Sequence, residues 1–215
     1  MSIDYYEAEQ EAAYDEFVES LAEELYAEHK DKAIDEFISE RLKSYYLKNE
    51  NIAIPAIDFI NKSKELVETD PTSSLMYSSV ATEVVLKTIL LKPVISGLVH
   101  TESLAELVSS TLVKQTGIDR FKKLVFEILE NHIEFDDGIE NYKRDGSGDN
   151  LWSERNRVQG LRNKIMHQVV FCQKEDAILS HSVAVSFFYL TKLLIENLGL
   201  SFQNGGILGA NNNAF

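Results

Sequence analysis

Apolar residues recur along this chain at helical intervals almost from end to end. Tyr14, Phe17, Val18, Leu21 and Leu25 fall at i, i+3, i+4, i+7 and i+11, one face of an α-helix. Ile34, Phe37, Ile38, Leu42 and Tyr45 resume that face after the polar break at His29-Lys30-Asp31. Together they predict an amphipathic helical arm. Pro55 suits a first helical turn and opens a further helix through Ile57, Ile60 and Leu66. Asp70-Pro71-Thr72-Ser73-Ser74 then reads as a turn followed by capping residues. It divides an N-terminal helical extension, 1–70, from a bundle spanning 71–200.

The bundle opens on the most apolar long segment, residues 74–92, with Leu75, Met76, Val80, Val84, Val85, Leu86, Ile89, Leu90 and Leu91. A helix apolar around most of its circumference belongs at the centre of a bundle. Pro93 and Gly97 are expected to end or kink it. Helices follow at about 103–115 and 118–135, then a polar glycine-bearing loop at 136–150. A helix at about 151–170 and an apolar closing helix at about 175–198 complete the set. Residues 201–215, with Asn-Gly-Gly and Asn-Asn-Asn, read as a disordered tail. The pattern predicts an all-α fold, without an internal repeat or a glycine-rich phosphate loop after a strand.

Composition narrows the function classes. With 215 residues, 44% of them hydrophobic, the chain can fill a core, and 10 glycines with 3 prolines argue against a turn-rich β protein. One cysteine, Cys172, leaves no intrachain disulfide and no cysteine-rich metal or cluster site. No apolar run approaches the roughly 18 to 20 residues that span a bilayer, and the acidic N-terminus lacks the layout of a signal peptide. A cytoplasmic protein without membrane contact is expected. The net charge of −14 opposes non-specific attraction to nucleic acid, but it is unevenly spread. Residues 1–50 hold 15 acidic and 5 basic side chains, whereas 140–168 holds 4 acidic and 6 basic ones. A phosphate ligand beside that locally basic stretch is plausible; a broad grip on RNA is not.

Inside the basic stretch lies Arg162-Asn163-Lys164-Ile165-Met166-His167. Arginine matches phosphate oxygens in a planar fork, and histidine exchanges protons near neutral pH, a pairing suited to phosphodiester chemistry. At 100° per residue, Val158, Leu161, Ile165 and Val169 make a core-facing stripe. Asn156, Gly160, Asn163 and His167 form a row on the opposite side. Gly160 costs a helix roughly 1 kcal/mol against alanine, commonly in return for close approach of another backbone. Arg162 and His167 lie about 140° apart and are not natural intrahelical partners. Either the arginine swings across, or the two groups meet across a two-fold dimer, which the glycine row favours.

The Arg-Asn-x-x-x-His string, in the penultimate helix of an all-α bundle and after a long apolar helix carrying an acid, resembles the HEPN superfamily. The resemblance covers about residues 72–198. It implies a metal-independent, cofactor-free endoribonuclease working as a homodimer, of the kind found in toxin–antitoxin and anti-phage systems, beside an antitoxin or defence partner. It implies Arg162 and His167 as catalytic, Asn163 as the polar residue after the arginine, and Glu83, the one acid within 74–92, as a carboxylate positioning Arg162. Lys164, Arg155 and Arg157 are the accompanying candidates for binding the RNA. The implied route is attack of the RNA 2′-hydroxyl on its own phosphate, leaving a cyclic phosphate and a 5′-hydroxyl. Toxins of this group silenced by modification of a tyrosine carry it two residues after the histidine; here Val169 stands there.

Other readings stay open. The chain could be a non-catalytic module of the same fold that binds a nucleotide or RNA end or assembles with a partner. It could also be an acidic helical inhibitor or adaptor, with the arm of residues 1–50 occupying a basic cleft elsewhere. Glu83 could be a structural ion pair. His29, His100, His132 and His181 are scattered without metal-ligand spacing. The Tyr5-Tyr6 and Tyr45-Tyr46 pairs suggest packing. Trp152 either stacks on a base or anchors the start of its helix, and Cys172 is expected to pack beside Phe171.

Overall fold

The structure, a computed structural model, describes residues 41–98, 117–168 and 170–210. The expected arm through residue 40, the helix at 103–115, Val169 and the last five residues lie outside these. Helices α1 (Leu42–Lys48), α2 (Ile54–Leu66) and α3 (Pro71–Val84) come first. A π-helical segment, Val85–Leu91, continues α3 into α4 (Lys92–Leu98). A 3-10 turn, Ile118–Phe121, leads into α5 (Lys122–Glu130), followed by α6 (Leu151–Gln168) and α7 (Lys174–Asn197). Strands β1 (Leu200–Gln203) and β2 (Ile207–Ala210) close the described chain. Among the described residues the fold is all-α apart from this hairpin.

The turn at Asp70-Pro71 joins two helices of one core. Asp70 caps α3 by accepting from the Ser73 amide at 3.1 Å, and Pro71 takes the first helical position, where its missing N–H costs nothing. Leu42, Tyr46, Ala53 and Ala56 are buried with the apolar residues of the π segment, α5 and α7, so residues 42–66 share the core of the bundle. A seam of small polar residues lets α2, α3 and α7 approach closely. Ser74 Oγ donates to the Ser63 carbonyl at 2.8 Å, and Ser78 and Ser180 hydroxyls meet at 2.6 Å. All four serines are fully buried, and each finds a partner.

His181 Nδ1 lies 3.3 Å from Ser63 Oγ at the edge of that seam. Burial pushes its imidazole below the ordinary range, and nearby Lys64 adds to the shift. The unfolded chain therefore binds the proton at higher pH than the folded one. The contribution of neutral His181 is fully present above the ordinary value of 6.5 and is lost as pH falls below it. Melting temperatures between pH 7.5 and 5.5 should fall more steeply for wild type than for His181→Gln. Parallel curves would show that the imidazole does not resist protonation.

Pro93 does not end the central helix; 26 residues from Pro71 to Ser96 are continuous. Proline removes the amide that an α-helix would offer to the Ile89 carbonyl. The chain answers in two ways. The π segment changes the hydrogen-bond frame just before Pro93, with the Lys92 amide reaching Lys87 O. From α1, fully buried Tyr46 donates its hydroxyl to Ile89 O at 2.8 Å. Burial also drives the Tyr46 phenol far above its usual range, so it remains a donor. Tyr46→Phe leaves that carbonyl short of a donor and should cost about 1–3 kcal/mol in urea melts. An unchanged midpoint would mean that another group serves Ile89.

The continuous helix gives Pro71–Ser96, and likewise Lys174–Asn197, the length and apolar composition to cross a membrane, where the sequence alone suggested no such run. Packing accounts for much of that character: Leu75, Val85, Leu86, Ile89, Phe187, Leu190, Leu194 and Ile195 are buried in the common core.

Segment 200–210 corrects the expected disordered tail. Leu200 pairs with Ala210 and Phe202 with Leu208 across an antiparallel hairpin. Leu200 and Leu208 are buried, Phe202 stacks 5.5 Å from Phe188, and the Leu208 amide donates to Glu50 O at 2.9 Å. Gly206 sits at φ +98°, where a side chain would also strike Ile57.

Candidate functional site

The motif helix α6 is anchored at its N-terminal half. Asn150 caps it by accepting from the Ser153 amide at 2.8 Å. Trp152 is buried edge-on between Phe126 and Phe187, with ring centroids 5.2 and 6.1 Å away, so it anchors the helix start. Arg144 from the preceding loop grips Glu154 through two bonds of 2.8 and 2.9 Å, and Ser147 Oγ adds a third at 2.7 Å. The loop is thereby folded back onto the helix; buried Ile139, whose amide donates to Glu130, fixes its other end.

Beyond Val158 the helix leaves the core. Leu161 and Ile165, expected on the core-facing stripe, are only half-buried. The outward row is as expected: Asn156, Gly160, Asn163 and His167 are all exposed. A Cβ built on Gly160 meets open space, so none of the described residues uses the close approach that glycine permits. Apolar side chains in the last turn of the helix and just beyond it face solvent, with Met166 59% and Phe171 80% exposed and Val170 exposed beside Phe171. On α7, Ile178, Val185 and Tyr189 form a further exposed apolar row at i, i+7 and i+11. Phe171 therefore does not shelter Cys172, which is half-buried, donates its thiol to Gln173 O at 3.0 Å and has its pKa pushed up to about 11 by burial and by Asp176.

Arg162 and Glu83 come together. Nη1 lies 3.8 Å from Glu83 Oε2, an ion pair too long to be a hydrogen bond, and the arginine Nε is buried without a partner among the described residues. The other Glu83 oxygen is 2.8 Å from Lys87 Nζ. Burial alone would raise the Glu83 pKa, but Lys87, then Arg162 and Arg155, outweigh it and hold the carboxyl below its ordinary range. His167 makes no hydrogen bond or ion pair among the described residues, and none joins it to Arg162. Asn163 accepts only a long 3.5 Å bond from Gln159.

The candidate RNA-binding cations fare differently. Arg155 is 8% exposed, bonded to Asp119 at 2.8 Å and to Asn156 at 3.0 Å, and lies over the Trp152 ring. It is committed to the fold. Arg157 is exposed and loosely paired with Asp176 at 3.4 Å, and Lys164 is exposed with no partner among the described residues. Four of the six cations in 140–168 thus face carboxylates, three of which (Glu83, Asp119, Asp176) come from other elements. The local positive charge counted along the sequence is largely neutralised in three dimensions. Lys87 and Asp119 are the site residues that sequence reasoning missed; only the Glu83-x-x-x-Lys87 spacing could have pointed to the first. Among the described residues, no three His, Cys, Asp or Glu side chains are grouped to hold a metal.

Compared with protein-family models, curated proteins and solved structures, the chain has no match.

Proposed function

We propose that this chain is a metal-independent endoribonuclease of the HEPN type, a toxin or anti-phage effector that acts as a homodimer. The observation that carries the reading is the disposition of α6. Arg162 is paired on one side with Glu83, while His167, without a partner among the described residues, stands on an exposed row whose glycine none of them approaches. Met166, Val170 and Phe171 expose apolar surface beside that row, which a second copy would cover. In such a cleft, His167 takes the proton of the RNA 2′-hydroxyl as that oxygen attacks the neighbouring phosphorus. The bond to the 5′-oxygen breaks, the same imidazolium returns its proton to the leaving oxygen, and a 2′,3′-cyclic phosphate remains. Arg162 stabilises the charge on the phosphate oxygens.

The neutralised arginines and the exposed apolar surface favour a second reading, a non-catalytic assembly module. Inducing wild type and His167→Ala in cells, with growth and RNA ends followed together, separates the two. Toxicity with cyclic-phosphate ends from wild type alone supports the nuclease. An intact RNA pool in both strains, with dimers in both lysates, supports the assembly module.

A further inference from the structure

Glu83, Lys87 and Arg162 form a line of alternating charge across the contact between α3, the π segment and α6. A carboxylate facing a guanidinium ordinarily closes to two parallel bonds of about 2.7–2.9 Å. Here the approach stops at 3.8 Å, although Arg162 Nε is buried with no acceptor among the described residues. Lys87 holds the other oxygen of that carboxylate. Its side chain is only 15% exposed and its ammonium sits 2.8 Å from Oε1, the oxygen that a two-pronged grip on Arg162 would require. The pair runs Glu to Lys at i, i+4, the favourable direction on a helix. Arg155, the other cation near Glu83, is tied to Asp119 at 2.8 Å and cannot take over.

We propose that Lys87 is a positioning residue: by occupying one oxygen of Glu83 it stops that carboxylate from closing on Arg162, and so keeps the guanidinium poised for an incoming phosphate. This rests on Arg162 being the phosphate-facing group of the proposed nuclease. It differs in sign from an ordinary structural lysine. Removing Lys87 tightens the Glu83–Arg162 pair, and removing Glu83 as well releases the arginine again.

The test uses the purified full chain with Lys87→Met, with Lys87→Gln as a second neutral variant, and with Glu83→Gln alone and combined with Lys87→Met. The Arg162 Nε–H signal, read by side-chain 1H–15N NMR, should move downfield and exchange more slowly in Lys87→Met and Lys87→Gln, as a bond to Glu83 forms. Cleavage of an RNA oligonucleotide should drop about tenfold or more in Lys87→Met, since misplacing such a group by about 1 Å is costly. It should return in the double variant to the level of Glu83→Gln alone. An unmoved Nε–H, or a moved one without rescue by Glu83→Gln, overturns the proposal. If wild type cleaves no RNA, the nuclease reading falls, and the Nε–H signal still decides whether Lys87 restrains Glu83.

Discussion

Mixing His167→Ala chains with Arg162→Ala chains is expected to restore RNA cleavage that neither supports alone. Within one chain, Arg162 leans toward Glu83 on α3, while His167 stands on the exposed row of α6 with none of the described residues bonded to it. If each reacting phosphate meets the arginine of one copy and the histidine of the other, a mixed dimer keeps one complete pair. Random exchange makes half the dimers mixed, so about a quarter of wild-type turnover should return, against a loss of at least about 100-fold in either variant alone. Size-exclusion profiles and melting curves like those of wild type are required of both variants, because His167 buries nothing that would unfold the chain. No recovery on mixing, despite exchange of subunits shown by tagged chains, would place both groups of each site in one protomer.

The outward row of α6 could be read from the sequence because a helix of known frame fixes which residues share a face. The depth to which that helix is buried could not. Leu161 and Ile165 look like core residues by spacing, yet they are only half-buried because the helix runs past the edge of the core after Val158. The electrostatics were legible still less. Counting charges along 140–168 sees Arg155 and Arg162 but not Asp119 and Glu83, which the fold brings in from elsewhere. Pro93, expected to end or kink the helix, does not end it for a related reason: its orphaned carbonyl finds another donor in Tyr46, 47 residues earlier. The hairpin at 200–210 did carry a signal. Leu200 and Phe202 alternate with polar residues before Asn204-Gly205, a turn pair, but the glycine- and asparagine-rich composition outweighed it.

Replacing Arg144 by methionine should be among the most destabilising single changes at the site, though Arg144 lies outside the Arg/His motif. Glu154 is 5% exposed in the first turn of α6, and its carboxylate is held by both prongs of Arg144 and by Ser147. The helix N-terminus favours its charge but does not replace three hydrogen bonds. Removing one member of a buried pair leaves the other charge uncompensated, at a cost of about 3 kcal/mol. Part of that cost falls on function, because the clamp folds the 136–150 loop onto the end of α6 that is anchored in the core, and the exposed end bearing His167 is aimed from there. A second change locates the origin of the loss. In Arg144→Met/Glu154→Gln the stranded charge is gone, so urea midpoints should recover much of the difference, giving a coupling well above additivity. Additive losses in that cycle would mean that the pair is solvated in solution and that the loop is held by Ile139 and Trp152 instead.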